Sequence, residues 1–113
     1  MNIKLAKEEI IHFVGIGGIG MSGLAQIMKG LGFRIQGSDI VENKNIELLK
    51  KKKIKIFIGQ KKKNIKKSTI LVISSAIKKN NSEYKEAKRR KIPIYKRGEV
   101  LGHIVSLMKN VVV

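Results

Sequence analysis

The chain of 113 residues has no cysteine and only one proline. It also has no tryptophan, and its phenylalanines and tyrosines together number only five. Without cysteine it can form neither disulfides nor thiolate metal sites, which fits a reducing, cytoplasmic location. So few aromatic rings offer no platform on which nucleic-acid bases could stack. No segment reaches the roughly 18 consecutive apolar residues of a membrane-spanning helix. The composition therefore predicts a cytoplasmic protein without membrane insertion.

Acidic residues are also scarce: eight stand against 25 basic ones, for a formal net charge of +17. Such an excess suggests binding to nucleic acid or to a membrane surface. However, 21 of the basic residues are lysines and four are arginines, whereas nucleic-acid sites favour arginine for its bidentate contacts. Lys, Ile and Asn, which have AT-rich codons, number 47, against 20 for Gly, Ala, Arg and Pro. A biased genome accounts for this charge, and we predict no nucleic-acid partner.

The length suits one domain, residues 1–113, with a buried core. Apolar patterns with the strand and the helix period alternate along it. They predict strands at 10–14, 33–39, 54–59, 69–76 and 92–95, helices at 21–28, 43–53, 81–91 and 98–110, a loop or single helical turn at 61–68, and the start of a further strand at 111–113. This alternation indicates an α/β fold: a doubly wound, mostly parallel sheet of about five strands with helices on both faces.

Two strands have predicted places in that sheet. The segment 69–76 is the most apolar, so we expect it to be central and covered on both faces. The segment 92–95 contains Pro93, which suits an edge strand or a strand start. In helix 81–91, either Asn81 or Ser82 is the expected N-cap.

Four glycines follow the first strand in "HFVGIGGIGMSGLAQ", residues 12–26. Gly15, Gly17 and Gly20 satisfy G-x-G-x-x-G between a strand and a helix, the Rossmann-like context that holds a nucleotide phosphate. We expect Gly15 to make the turn, Gly17 and Gly18 to admit a phosphate to the backbone, and Gly20 to let the helix pack close to the strand. The helix N-terminus then favours an anion. The alternative is a tight turn with no ligand.

Polar residues follow two other predicted strands. Asp39 lies at the end of the second, where its carboxylate could accept hydrogen bonds from ribose hydroxyls or, alternatively, cap the next helix. Ser74 and Ser75 close the fourth strand and could bond phosphate or ribose oxygens, or merely begin a turn. His12 and His103 are interpreted as structural. No acid–base pair or metal constellation can be assembled from the sequence. The glycine loop and the polar residues after the strands indicate a nucleotide-binding domain, but they do not specify the nucleotide.

Longer stretches narrow the function. "HFVGIGGIGMSGLAQIMKGLGFRIQGSD" and "VISSAIKKNNSEYKEAKRRKIPIYKRGEVL" contain G-x-G-G-x-G-M-S-G-L-A, G-S-D, S-S-A-I and I-P-I-x-x-R-x-E-x-L in order. From about Ile11 to its last residue the chain resembles the N-terminal domain of the Mur ligase family, and within it the ATP-dependent ligases that add L-alanine to UDP-N-acetylmuramate in peptidoglycan biosynthesis. Together these motifs are specific, whereas each alone is weak.

The resemblance implies a Rossmann-like domain that binds a UDP-sugar rather than a dinucleotide. Its diphosphate would lie on residues 17–22, its uridine near Asp39 and the Ser75–Ile77 rim, and Arg97 could reach the same pocket. The implied substrate-binding residues are Gly17, Gly18, Ile19, Gly20, Met21, Ser22, Ser38, Asp39, Ser75, Ala76, Ile77 and Arg97. One departure is Gln60, where the family usually has histidine. A contact made by that imidazole cannot be transferred, although an amide could replace a neutral hydrogen bond.

The sequence contains no G-x-x-x-x-G-K-[ST] loop for ATP. The resemblance therefore implies that ATP, Mg²⁺ and catalysis belong to the ATPase and C-terminal domains of a longer parent chain, and that this fragment binds UDP-N-acetylmuramate without a cofactor and without catalysing. The alternative is an NAD-binding module, either regulatory or part of an oxidoreductase, because the same loop and acid would serve it.

Overall fold

A computed structural model describes residues 3–111 as a five-stranded, all-parallel sheet with helices on both faces. Its elements are β1 (Ile10–Val14), α1 (Ile19–Gly30), β2 (Arg34–Asp39), α2 (Lys44–Lys51), β3 (Lys55–Ile58), a 3-10 turn (Lys62–Ile65), β4 (Ile70–Ile73), α3 (Ser82–Arg89), β5 (Ile94–Lys96) and α4 (Arg97–Val111). The strand order is β3-β2-β1-β4-β5. The predicted α/β, Rossmann-like fold is confirmed.

The two faces of the sheet bury different groups because successive side chains of a strand point to opposite sides. Ile11 and Phe13 of β1 point into the larger core, beneath α1, α2 and α4. Val14 points into a smaller core, which residues of the 3-10 turn and α3 complete. Burying a side chain such as Phe13 contributes roughly 1.5–3 kcal/mol, so the larger core supplies more of the stability. Among residues 3–111, no helix combines the length and apolarity needed to cross a membrane.

The placement of two strands was only partly predicted. All four residues of β4 are buried, but β4 ends at Ile73 and the middle of the sheet is β1. Residues 74–76, predicted as strand, lie at the start of the turn that leads towards α3. Beyond Ile73 no neighbouring strand continues the pairing, since the partners of β4 in β1 and β5 end at the same level. The strand β5 is at the edge, as Pro93 predicted.

The helices begin and end within a few residues of their predicted limits. Asn81, not Ser82, is the N-cap of α3. Helix α4 continues to Val111, so the prediction of a strand at 111–113 is wrong for Val111. The other two residues of that predicted strand, Val112 and Val113, lie outside the described residues. Helical hydrogen bonding can continue through residues 97–111 because the segment contains no proline, which would remove a backbone donor.

Candidate functional site

The loop between β1 and α1 turns against the end of β2. The backbone N–H groups of Gly15 and Ile16 both donate to the carbonyl oxygen of Ser38, at 2.8 and 2.9 Å. Gly15 has φ +78°, a conformation that side chains disfavour, and Gly18 N–H donates to Gly15 O at 3.2 Å. The predicted turn role of Gly15 is confirmed.

Gly37 is a second required glycine, and its role was not predicted. A Cβ at this position of β2 would lie 2.6 Å from Cβ of Ile16 and 2.8 Å from the carbonyl oxygen of Phe13. The bare backbone of Gly37 therefore lets Ile16 descend onto the sheet and anchor the loop in the core. The sequence signal that could have shown this is a glycine inside a strand, which often marks a place where another part of the protein comes close to the strand backbone.

Gly17 contacts Asp39 directly. Its N–H donates to Asp39 Oδ2 at 2.8 Å, and its carbonyl accepts from Asn45 Nδ2 at 2.9 Å. A Cβ on Gly17 would lie 2.7 Å from the same carboxylate oxygen. The bare backbone at Gly17 therefore makes room for Asp39, a role that the sequence did not predict. The phosphate contact expected at Gly17 stays a prediction.

The carboxylate of Asp39 joins β2 to the glycine loop. Its Oδ1 accepts from the N–H of Ile40 at 2.8 Å, in addition to the Gly17 bond on Oδ2. The N-cap of α2 is Asn43, whose Oδ1 accepts from Ile46 N–H at 2.9 Å. The alternative interpretation of Asp39 as a helix cap is therefore wrong. The half-buried carboxylate keeps lone pairs that could accept hydroxyl donors.

The N-terminus of α1 is built without a capping side chain. Gly18 is its N-cap, with φ −65° and ψ 152°, and within the described residues the first turn carries no acidic group. The first-turn N–H groups of Ile19, Gly20 and Met21 thus meet no acceptor from the cap residue. The Ile19 side chain is 89% exposed. Oriented N–H donors and the positive end of a helix dipole together suit an anion such as phosphate.

Arg97 lies against this same turn. A Cβ on Gly20 would be 3.0 Å from Arg97 Nε and 3.2 Å from its Cζ. The missing side chain of Gly20 leaves room for Arg97, the first residue of α4, which crosses the first turn of α1. We expected Gly20 to let the helix pack close to a strand, and this expectation is wrong, because the nearest atoms belong to α4. The structure brings a half-buried guanidinium, a group suited to phosphate, to the glycine loop.

Three other predicted residues have side chains that are already engaged within the protein. The side chain of Met21 is buried in the larger core. Ser22 Oγ donates to Ile19 O at 3.1 Å, and Ser38 Oγ donates to Glu83 Oε1 at 2.6 Å. Met21 and Ser22 can thus offer a ligand mainly their backbone, and Ser38 acts through its carbonyl.

The motifs and this geometry agree with the comparison to known families. A family model described as "Mur ligase family, catalytic domain" matches residues 10–109. The chain belongs to the Mur ligase family. It spans about a quarter of the length of the curated relatives that it matches.

Two of these relatives show how close the similarity is. The UDP-N-acetylmuramate–L-alanine ligase of Pelagibacter ubique (strain HTCC1062) is 71% identical over 113 residues, which is 100% of this chain and 24% of the relative. The ligase of the same name from Aquifex aeolicus (strain VF5) is 51% identical over 111 residues, 96% of this chain and 24% of that protein.

Solved Mur ligase structures share the fold. The UDP-N-acetylmuramate–alanine ligase of Thermotoga maritima superposes with a TM-score of 0.78 at 33% identity, covering 89% of this chain and 23% of that one. A Neisseria UDP-N-acetylmuramate:L-alanyl-γ-D-glutamyl-meso-diaminopimelate ligase gives 0.79 at 26% identity, covering 84% and 30%.

In this Mur ligase chain, the predicted rim after β4 stands beside the loop because β4 neighbours β1. Ser75 and Ala76 are exposed in a turn, whereas Ile77 packs against the smaller core. Gln60, on the loop after β3, accepts through Oε1 a hydrogen bond from Asn81 Nδ2 at 2.7 Å. Its amide oxygen is thus engaged within the protein, and the amide nitrogen is the group it could offer to a ligand.

A different surface feature lies along the outer side of α3. It is a groove of about 570 Å³, lined by Lys61, Lys62, Ser82, Lys85, Glu86 and Arg89. Arg89 donates to Glu86 in an exposed ion pair, and this hydrogen bond lowers the pKa of Glu86 below its usual range. None of the predicted substrate-binding residues lines this groove, so we place the candidate site at the glycine loop instead.

Proposed function

We propose that this chain is the N-terminal, UDP-N-acetylmuramate-binding domain of a UDP-N-acetylmuramate–L-alanine ligase that acts in the cytoplasm in peptidoglycan biosynthesis. The observation that carries the proposal is the uncapped N-terminus of α1, flanked by Arg97 and Asp39. The 71% identity to a ligase of that name supports the choice of substrate.

In this proposal the diphosphate lies over the first turn of α1. The N–H groups of residues 19–21 donate to its oxygens, and Arg97 offers charge-assisted hydrogen bonds from the side of α4. Asp39, already oriented by Gly17 and Ile40, accepts from ribose hydroxyls. The exposed turn at Ser75 and Ala76, at the end of the neighbouring strand, borders the uridine.

The chemical step would use other parts of the parent chain. ATP with Mg²⁺ would supply the phosphoryl group that activates the muramate carboxylate for attack by the amine of L-alanine. The 113 residues contain no phosphate-binding lysine loop, and the structured glycine turn offers no lysine in its place. This domain would hold the substrate so that its carboxylate is presented to those partner domains, and the 113-residue chain alone should neither hydrolyse ATP nor ligate.

Calorimetric titration of the purified chain with UDP-N-acetylmuramate and, separately, with NAD tests the proposal. We expect saturable binding of the UDP-sugar at one site and little binding of NAD. Saturable NAD binding with none of the UDP-sugar would replace the proposal with the oxidoreductase or regulatory alternative. A coupled assay for ADP release, run on the same preparation, checks that the chain has no ATP turnover.

A further inference from the structure

A buried carboxylate lies on the α3 side of the sheet. Glu83, in the first turn of α3, is 0% exposed. Its Oε1 accepts from Ser38 Oγ at 2.6 Å and lies 2.8 Å from His12 Nε2. Its Oε2 accepts from Asn64 Nδ2 at 2.7 Å. One side chain thus contacts three elements that are far apart in sequence.

The contact with His12 has a defined proton arrangement. The amide nitrogen Nε2 of Gln36 lies 2.8 Å from His12 Nδ1. Since that nitrogen of Gln36 can only donate, Nδ1 accepts and Nε2 carries the proton that is donated to Glu83. In the described part of the chain, every buried side-chain nitrogen and oxygen has a hydrogen-bond partner.

A network of this kind is not the most stable way to fill a core. Removing a carboxylate from water is costly, and well-packed apolar residues of similar volume are often as stabilising or more so. Its value lies in geometry, because directional hydrogen bonds fix positions that apolar contacts leave adjustable. The useful question is therefore which parts of the molecule Glu83 holds in place.

Both arms of the network reach the end of β2. On one arm, the Ser38 hydroxyl bonds Glu83 while the Ser38 carbonyl accepts from Gly15 and Ile16. On the other, Asn64 Nδ2 also donates to Gly59 O at 2.7 Å, and Gly59 N–H donates to Asp39 O at 2.7 Å. Ser38 and Asp39 are consecutive residues, and they hold the glycine turn and the N–H of Gly17.

We infer that Glu83 is a positioning residue for the UDP-sugar site: it fixes the Ser38–Asp39 end of β2 from beneath the sheet, and through it the glycine turn. This inference rests on the proposed function for its ligand. Glu83 itself is fully buried and contacts no substrate, so its effect passes through Ser38 by one arm and through Asn64 and Gly59 by the other.

Two variants separate the arms. In Glu83→Gln, an amide NH₂ that faces Asn64 sets two donors against each other and weakens the Gly59 tether. An NH₂ that faces the other way opposes the His12 Nε2–H, although Ser38 Oγ can then accept from it. We expect the first arrangement, because it keeps the bonds from both His12 and Ser38. Ser38→Ala removes only the hydroxyl arm. Ile65→Val, a buried substitution in the same small core without a role in the network, controls for a general loss of stability.

Amide hydrogen exchange of the ligand-free chain is the first measurement. We expect faster exchange at Gly59 in Glu83→Gln and at Gly15 and Ile16 in Ser38→Ala. In Ile65→Val, exchange at these positions should change no more than the overall loss of stability requires. Unchanged local exchange in both network variants, with folding retained, would overturn the inference without reference to any ligand.

Titration with UDP-N-acetylmuramate is the second measurement. We expect Glu83→Gln to bind about tenfold more weakly than the parent, as when one charge-assisted hydrogen bond is lost, and Ile65→Val to bind like the parent. Equal affinity of the parent, Glu83→Gln and Ser38→Ala would overturn the inference. If the parent itself fails to bind, the proposed function fails, and the exchange data still decide whether Glu83 positions the loop. If Glu83→Gln does not fold, Ser38→Ala carries the test.

Discussion

Helices α1 and α3 both begin on the rim formed by the carboxyl ends of the strands, yet their N-termini are built in opposite ways. The N-cap of α3 is Asn81, whose Oδ1 accepts from Glu83 N–H at 2.9 Å and from Tyr84 N–H at 3.1 Å. The N-cap of α1 is Gly18, which has no side chain to accept anything. One helix satisfies its first N–H groups from within the chain, and the other leaves them to solvent or a ligand.

The difference means that α1 lacks a stabilising contribution that α2 and α3 have. A good N-cap side chain contributes about 0.5–2 kcal/mol relative to alanine, and α2 and α3 both use asparagine for it and carry an acid in the first turn. Helix α1 forgoes both and has Arg97 beside it instead. A helix start without its own acceptor and next to a cation is suited to binding an anion, whereas the capped start of α3 has no free N–H groups at its cap to offer one.

Closing the N-terminus of α1 should have the largest effect. In Gly18→Asp, the new carboxylate would cap the helix and occupy the place of the phosphate. The backbone tolerates it, since φ is −65° and the nearest atom to a new Cβ is 3.5 Å away. Like charges about 4 Å apart cost about 4 kcal/mol before screening at an effective dielectric near 20. We expect UDP-N-acetylmuramate affinity, measured by calorimetry, to fall at least about 50-fold, with an unchanged or slightly raised melting temperature.

Gly18→Asn is the matched control, since it has nearly the same shape and capping ability without the charge. It should bind more tightly than Gly18→Asp and more weakly than the parent. If folded Gly18→Asp bound the UDP-sugar like the parent, the start of α1 would not be the anion site, and the contrast with α3 would have no functional meaning.

Opening the N-terminus of α3 should act on stability instead. Asn81→Ala removes both capping bonds and the bond to Gln60, so we expect a loss of about 1 kcal/mol and a melting temperature roughly 4 °C lower. Circular dichroism melting measures it, with the exposed neighbour Asn80→Ala as the control. Equal melting of the two variants would show that the cap of α3 contributes nothing. An affinity loss as large as that of Gly18→Asp would make both helix starts part of the site.

Neutralising Asp39 should have the smallest effect. Asp39→Asn keeps the shape, and its one remaining oxygen can still accept from Gly17, but it loses the acceptor of the Ile40 N–H and the charged acceptor for ribose hydroxyls. We expect UDP-N-acetylmuramate to bind about threefold to tenfold more weakly, as for a weakened hydrogen bond. Glu42→Gln, which neutralises an exposed acid in the loop after β2, should bind like the parent. If both variants matched the parent in titration, Asp39 would only support the loop.

Several features of the site could be predicted because they depend on residues near one another in sequence. The glycine pattern after an apolar strand predicted the turn at Gly15. Arg97 was assigned to the site through family resemblance alone, and the structure then brought it to Gly20.

The roles of individual glycines could not be predicted in the same way. Gly17 accommodates Asp39, Gly20 accommodates Arg97, and Gly37 accommodates Ile16. In each case the neighbouring atom belongs to another element, and its approach depends on how that element packs. The pattern showed that bare backbone was needed, but not which side chain would occupy the space.

The sequence by itself determined the order of strands and helices, the α/β class and the membership of the Mur ligase family, because periodicity, turn residues and motifs are local properties of the chain. Only the tertiary structure decided that Ser38 turns its hydroxyl to Glu83, 45 residues away, and that His12 meets the same carboxylate across 71 residues. Strand order and register bring those groups together. Strand order and register are set by the packing of the whole sheet against its helices, and no local pattern in the sequence encodes that packing.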